Sequence, residues 1–366
     1  MFDINNSFIL IIFILVSLVQ IFLSFVKFKI SKLKISAEDN GPLSVIICAK
    51  NEEVNLKKNL EKILKQHFKK FEVIVVDDQS TDSTNYLLSF LSKKYSNLKV
   101  VTINKNVNSR VGKKFALAIG IKTAKFDNLV LTDADCMPSS KKWLSLISSG
   151  FNNHNIVLGY SNYEMEASFL NKLVRFDTYL IASSYFIACF IGIPYMGVGR
   201  NLAYKKDLFF KNKGFAKHIN LISGDDDLFI QEVASKDNTT IALDSDSHTS
   251  SLAENTWIDW FSQKRRHYTT SSRYNLKTKL YLIIDPLSLI FFYVIPIYYI
   301  FNNQRIEIIF FIFCVVFFIK CISNYKLMRK LKVLDLFYFS PFIEIFHLIL
   351  INFLYVYSII KGKKTW

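Results

Sequence analysis

The sequence predicts an α/β domain built on a doubly wound, mainly parallel sheet and flanked by transmembrane helices. Three observations carry that expectation. Between residues 43 and 160 short β-rich runs alternate with amphipathic segments, the pattern of repeated β-α units. Three of those runs end in polar or acidic residues, at the strand ends where open α/β sheets place their ligands. The apolar residues, 51% of the 366 and rich in Phe (34) and Tyr (18), concentrate before residue 27 and after residue 280. A soluble enzyme has no place to hide such blocks.

Residues 4–26 carry no charge and are long enough to span a bilayer as a helix. The segment begins beside Asp3 rather than a basic region, and no small-residue cleavage site follows, so it reads as a retained anchor (1–27) rather than a signal peptide. Lys27, Lys29, Lys32 and Lys34 place its end in the cytoplasm. Gly41-Pro42 marks the entry to the first strand, Leu43–Ala49. There follow a helix over Val54–Gln66, a strand over Phe71–Val76, a helix over Ser83–Tyr95 and a strand over Leu98–Ile103. A helix over Lys113–Ala124, the strand Asn128–Thr132, another helix and Ile156–Tyr160 complete a first half, 43–160.

The second half, 161–280, is more irregular. Thr178–Gly199 is uncharged, but it contains Ser183, Ser184, Gly192 and Pro194, and a crossing there would put the bilayer between Asp135 and Asp226. It reads as a helix and loop lying at the membrane face. Beyond it, apolar stretches at 281–302, 306–325 and 339–360 form a membrane region over 281–366. Glu307 and Lys320 weaken the second stretch. The third carries Glu344 and His347 on one helical face, turned to other helices or placed near the interface. Lys320, Lys326, Arg329, Lys330 and Lys332 mark a cytoplasmic loop, and Lys361-Gly-Lys-Lys marks a cytoplasmic tail. Four spans in all would put that tail outside, so two or three are expected after the domain.

A net charge of +16 suits nucleic acid or an anionic membrane surface; without a nucleic-acid motif and with apolar ends, the membrane is the partner expected. Five scattered cysteines form no Cys-x-x-Cys pair, as in a reducing cytoplasm.

The chemistry lies at the strand ends. Asn128-Leu-Val-Leu-Thr-Asp-Ala-Asp135 is a buried strand that stops at two carboxylates. Asp133 and Asp135 repel each other unless a cation lies between them, and a hard ion, Mg²⁺ or Mn²⁺, would share them with nucleotide phosphates. The alternative is that they cap a helix near Ser139. Lys50, Asn51 and Glu52 follow the first strand, and Asp77 and Asp78 end the second, where a carboxylate can accept from a uracil N3–H or a ribose hydroxyl. Asp82 reads as a helix N-cap. Arg110-Val-Gly112-Lys113-Lys114 opens a helix in a manner that suits a pyrophosphate.

Taken in order and spacing, Val45–Glu53, Val75–Asp82, Gly112–Leu117 and Leu131–Asp135 resemble glycosyltransferase family 2, inverting enzymes of GT-A fold. The resemblance covers about 43–280. It implies a nucleotide-sugar donor, Asp78 with Asp77 at the base, and Asp133 and Asp135 at the metal. Ile222-Ser-Gly-Asp-Asp-Asp-Leu resembles the family segment that supplies the general base, which places that role on Asp226, or on Asp225 with a shift of one residue. Asp227 then reads as helix-start charge. Gln263-Lys-Arg-Arg-His267 resembles the Gln-x-x-Arg-Trp signature, so that Gln263 and Arg266 face the donor pyrophosphate. His267 replaces the Trp that supports the acceptor in processive synthases. Gly197–Tyr204 resembles the acceptor-side turn, with Arg200 and Asn201 near the acceptor or leaving phosphate. Trp257, Trp260 and Phe261 also read as an interfacial amphipathic helix.

The expectation is a multi-pass membrane enzyme, in a bacterial-type cytoplasmic membrane with its catalytic domain in the cytoplasm. It moves a hexosyl group from a nucleotide sugar, a UDP-sugar by preference, to a lipid or lipid-linked glycan of the cell envelope. The alternatives are a processive polysaccharide synthase, a polyprenyl-phosphate sugar transferase, and a catalytically silent membrane scaffold.

Overall fold

The computed structural model describes residues 4–34, 37–103, 112–221, 223–302 and 306–360, with side chains between 6 and 357. In chain order its elements are α1 (Ile4–Ser31), β1 (Leu43–Ala49), α2 (Glu53–Leu64), β2 (Phe71–Asp78), α3 (Thr84–Lys94) and β3 (Leu98–Ile103). Next come α4 (Lys113–Thr123), β4 (Asn128–Asp133), β5 (Met137–Pro138), α5 (Trp143–Ser149), β6 (Ile156–Leu158) and β7 (Ser161–Tyr163). They are followed by α6 (Phe169–Phe190), β8 (Leu202–Lys205), α7 (Lys206–Lys211), α8 (Asp227–Val233), β9 (Thr239–Ile241), β10 (Thr249–Ser251) and α9 (Trp257–Ser271). The chain ends in α10 (Leu276–Phe301), α11 (Ile306–Lys330) and α12 (Ser340–Ile360). It divides into two compact units, Met1–Leu33 with Asn275–Ile349 and Lys34–Tyr274 with Leu350–Trp366.

The second unit is built on a seven-stranded sheet of order β3-β2-β1-β4-β8-β6-β9. Its first four strands are parallel, as expected, and β8 enters antiparallel between β4 and β6. Helices cover both faces, so β1 and β2 read as nearly continuous apolar runs rather than alternating ones. Leu56, Leu60 and Ile63 line one face of α2 and pack with Val45, Val73 and Val75, each buried side chain stabilising the fold by roughly 1.5–3 kcal/mol. On α4, a Cβ at Gly120 would meet Ile46 Cγ2 at 2.6 Å, and glycine lets the helix lie this close to the sheet.

Register is what builds the site. Cys48 pairs with Asp133 and Ala49 with Asp77, so three strands end level along one edge. Because β8 runs antiparallel to β4, with Leu202 opposite Leu131, the turn before it (Gly199–Asn201) arrives at that same edge. A small sheet, β5-β10-β7, lies beside it.

The helix and loop expected over Thr178–Gly199 include α6, which starts earlier, at Phe169, under a Ser168 side-chain cap. By length and composition it is one of five helices among the described residues able to cross a membrane, yet 72% of its apolar window is buried inside the protein. It carries buried Arg175 and Asp177 and packs against β7 and β9. It is a core helix of the domain.

The first unit is helical. Phe13, Phe292, Tyr299, Ile309 and Val316 form its apolar centre, with Phe292 stacked on Phe313 at 4.9 Å. Leu276–Phe301, Ile306–Lys330 and Leu334–Tyr357 join Asn6–Ser31 among the helices long and apolar enough to span a membrane. The charge that weakened the 306–325 reading is paired: Lys320 donates to Glu344 at 3.0 Å, and the Tyr293 hydroxyl donates to the same carboxylate at 2.7 Å. Glu344 and His347 are both buried. The basic tail from Lys361 lies outside the described residues.

Candidate active site

Each strand end is locked by a polar turn. Asn51 and Gln79, directly after β1 and β2, take positive φ of 57° and 60°, a conformation costly for residues with a Cβ and characteristic of functional edges. The two loops hold each other: Asn51 N donates to Ser80 Oγ at 2.9 Å, and Thr81 N donates to Asn51 Oδ1 at 2.8 Å. Asp77 is part of this scaffold, accepting from Ser80 N at 3.1 Å and Asn85 Nδ2 at 3.3 Å. Asp78 is buried beside it, within 3.4 Å of Gln79 Nε2. Ser83 rather than Asp82 is the N-cap of α3; Asp82, one residue earlier, accepts from Thr84 N at 3.0 Å and from Glu53 N at 3.3 Å at the start of α2. Lys50 is exposed at the edge. Glu52 precedes α2 and is held by Asn55 at 2.7 Å; burial, with the charges of Asp135 and Asp133, raises its pKa.

The centre of the site is a carboxylate cluster around one lysine. Lys113, the first residue of α4, donates to Asp133 at 2.7 Å and lies 3.6 Å from Asp225. Burial would lower its pKa, but Asp133 and Asp225 outweigh burial and hold it well above the ordinary value. Burial likewise opposes ionisation of Asp133, and Lys113, with help from Arg200 and Arg266, pulls its pKa down. For Asp135 burial, together with Asp133, outweighs the opposing pull of Arg200, Cys136 and Lys113 and raises its pKa. Arg110 and Val111 of the basic motif lie outside the described residues, as does Ile222.

Asp225 and Asp226 reach the cluster through Gly224, whose φ of +107° supplies a turn that a side chain would strain. Asp226 does cap α8, accepting from Asp227 N at 2.8 Å through one oxygen. Its other oxygen accepts from Gly199 N at 2.9 Å, at the head of the β8 turn. Burial first, then Asp225 and Asp227, raise the Asp226 carboxyl to about 7 against the opposing pull of the Gly199 amide and Lys113.

Arg200 leaves the same turn with its guanidinium over the Tyr163 ring at 4.2 Å and donates to Ser251 Oγ at 3.1 Å. Gln263 donates to Glu254 at 3.3 Å, one turn before Arg266 on α9. Arg266 and His267 are exposed.

Two sequence readings are corrected. Asn201 is fully buried and fully used: it accepts from Trp143 Nε1 at 3.1 Å and donates to the carbonyls of Tyr160 and Ser247 at 2.8 Å each, so it pins the turn and offers nothing to an acceptor. Asp227 is more than helix-start charge, since Thr270 and Tyr274 both donate to it. Those hydroxyls, and the buried ion pair of Lys264 with Asp177, had no sequence signal, because their partners are remote in the chain.

The carboxylates fit a divalent ion. Asp133 and Asp135 present hard oxygens two residues apart at a strand end, and the Lys113 ammonium shows that this spot requires positive charge. Among the described residues no cluster of three or more His, Cys, Asp or Glu forms a ready-made cage, so a metal here would take part of its coordination from its ligand.

Similarity to known proteins agrees with this geometry. The model of "Glycosyl transferase family 2" matches residues 44–209. The chain is 35% identical over 118 residues to a 4,4'-diaponeurosporenoate glycosyltransferase of Staphylococcus haemolyticus, covering 32% of this chain and 30% of the relative. It is 29% identical over 107 residues to a beta-monoglucosyldiacylglycerol synthase of Nostoc, covering 29% and 22% respectively. The matched segments thus span under a third of these relatives' own length. Among solved structures, the mannosyltransferase PcManGT of Pyrobaculum calidifontis, in complex with GDP-Man and Mn²⁺, covers 90% of this chain and 96% of its own at a TM-score of 0.53 and 15% identity. That likeness establishes the GT-A type of fold.

Proposed function

We propose that the protein is a membrane-bound, metal-dependent, inverting glycosyltransferase that moves a sugar from a nucleotide sugar, UDP-linked by preference, to a hydroxyl of a lipid or lipid-linked glycan. The single observation that carries this reading is the convergence of Asp133, Asp135, Asp225 and Asp226 on the sheet edge around Lys113. Asp78 and Asp77 close the base end of the site, and Lys50 and Glu52 flank the donor. Asp133 and Asp135 would hold Mg²⁺ or Mn²⁺, which supplies charge neutralisation for the departing nucleoside diphosphate. Lys113 and Arg266 add to that neutralisation, and Arg200 and His267 face the acceptor side.

Asp226 takes the proton from the acceptor hydroxyl as that oxygen attacks the anomeric carbon. The new C–O bond forms opposite the breaking bond to the phosphate, which leaves with its electron pair, and the anomeric centre inverts. A base with a carboxyl poised near neutrality is matched to this task. Four helices besides the buried α6 that, among the described residues, are long and apolar enough to cross a bilayer, in a chain whose relatives include a synthase named for a glucosylated diacylglycerol, support a lipidic acceptor and a membrane location.

The test is turnover of a panel of nucleotide sugars by detergent-purified protein, with Mn²⁺ or chelator and with membrane lipid extract as acceptor. Metal-dependent turnover of one donor that is lost in Asp135→Ala and Asp226→Asn is the expected result. No turnover and no metal-dependent nucleotide binding would overturn the reading.

A further inference from the structure

We propose that Asp227 is a positioning residue whose carboxylate, clamped by the hydroxyls of Thr270 and Tyr274, fixes helix α9 and its Arg266 against the carboxylates that open α8. The inference deepens the glycosyltransferase reading and rests on it. Asp227 is 7% exposed. Thr270 Oγ1 at 2.5 Å and Tyr274 Oη at 2.7 Å both meet its Oδ2, while Leu228 N at 2.7 Å meets Oδ1. Stabilising the first turn of a helix requires no such partners, because a carboxylate there is already favoured by the exposed N–H groups. A buried and a half-buried hydroxyl from residues 43 and 47 positions further along the chain make a tertiary tie instead.

The tie has a direction. Thr270 lies four residues after Arg266 on α9, on the same helical face. Its hydroxyl also lies 2.8 Å from the His267 carbonyl, the acceptor a helical threonine turns to when nothing else is offered. Asp227 offers a charged acceptor in its place, and hydrogen bonds to charge are the stronger kind. Tyr274 is held from behind by the Tyr195 ring at 6.0 Å, and the Tyr195 hydroxyl meets Ser184 of α6 at 3.2 Å. Immediately before Asp227 in the chain stands Asp226, whose carboxylate caps α8 and accepts from Gly199 N at 2.9 Å. One carboxylate therefore links the backbone that carries the proposed base to the helix that carries the proposed donor contact.

A double-mutant cycle tests this on the full-length protein in detergent, with nucleotide-sugar turnover in Mn²⁺ as the readout. Thr270→Val and Tyr274→Phe remove the clamping hydroxyls with little change of shape, and each is made alone and together, with and without Arg266→Ala. Acting through Arg266, the clamp is expected to be worth about tenfold in kcat/KM in the native background and under about twofold in Arg266→Ala. Equal losses in both backgrounds, no loss in either, or a silent Arg266→Ala would overturn the proposal. Tyr274→Phe alone, the mildest change, runs through the same cycle if the paired variant fails to fold. Native protein with no turnover at all removes the enzyme reading itself, a result distinct from turnover that is indifferent to the clamp.

Discussion

The two units treat buried charge in opposite ways. In the helical unit Glu344 meets one lysine and one tyrosine hydroxyl, and the Lys320 and Glu344 side chains are 5% and 10% exposed. In the sheet domain Asp133, Asp135, Asp225, Asp226 and Asp227 crowd one edge, and among the described residues Lys113 lies within ion-pair reach of Asp133 and Asp225. Burial penalises charge that is not neutralised. A matched pair is therefore an answer to folding, whereas a surplus of one sign at a ligand edge is held for something that binds. The same residue types carry different meanings in the two places, and mutation separates them.

The largest effect is expected at Asp226. Asp226→Asn keeps the size and one acceptor oxygen but removes the base, and kcat should fall about 10³-fold while metal-dependent nucleotide binding persists. A variant that kept its rate would hand the role to Asp225. Next is Asp135→Ala, or chelation of the native protein, with a loss of about 10²-fold because charge on the departing diphosphate is no longer balanced. Here binding of the nucleotide should weaken together with the rate, which separates a metal ligand from a base.

A smaller effect comes from pH. The raised carboxyl of Asp226 must be ionised to accept a proton, so kcat/KM should fall by about tenfold per unit below about 7. The linked stability runs the other way. A carboxyl raised from 3.8 to about 7 binds its proton more tightly in the folded state, so its contribution to stability is full below 3.8 and lost as pH rises through about 7. Activity and stability should therefore cross near neutrality. An acid limb that stayed in place in Asp227→Asn would remove Asp227 from the causes of the shift.

Much of this was legible in the sequence, and the rest was not, for physical reasons. The strands β1 and β3 fall where the apolar runs place them, and β1, buried along nearly its whole length, is bounded by its own polar turns. The strand-end residues are equally readable, because a parallel register of consecutive β-α units aligns their carboxyl ends. What failed was anything decided by remote partners. Asn201 looks free to bind a ligand until Trp143 and two carbonyls surround it. The burial of Asp177 in α6 is equally unreadable, because its partner Lys264 is remote in the chain. Lys320 interrupted a hydrophobic run for the same reason, its partner being on another helix.

That last pair gives the smallest effect on chemistry and the cleanest control. Lys320→Met leaves Glu344 buried without its ion-pair partner, and breaking such a pair costs about 3 kcal/mol, so the thermal unfolding midpoint in detergent should fall clearly. Adding Glu344→Leu removes the stranded charge and should recover most of the loss, since replacing both members of a buried pair by apolar groups is often neutral. Turnover per folded molecule should be the same in native, single and double variants. Were Lys320→Met to abolish turnover while the protein stayed folded, the helical unit would hold a second functional charge rather than a structural one. Recovery of both stability and rate in the double variant would instead place its buried ion pair wholly on the side of folding.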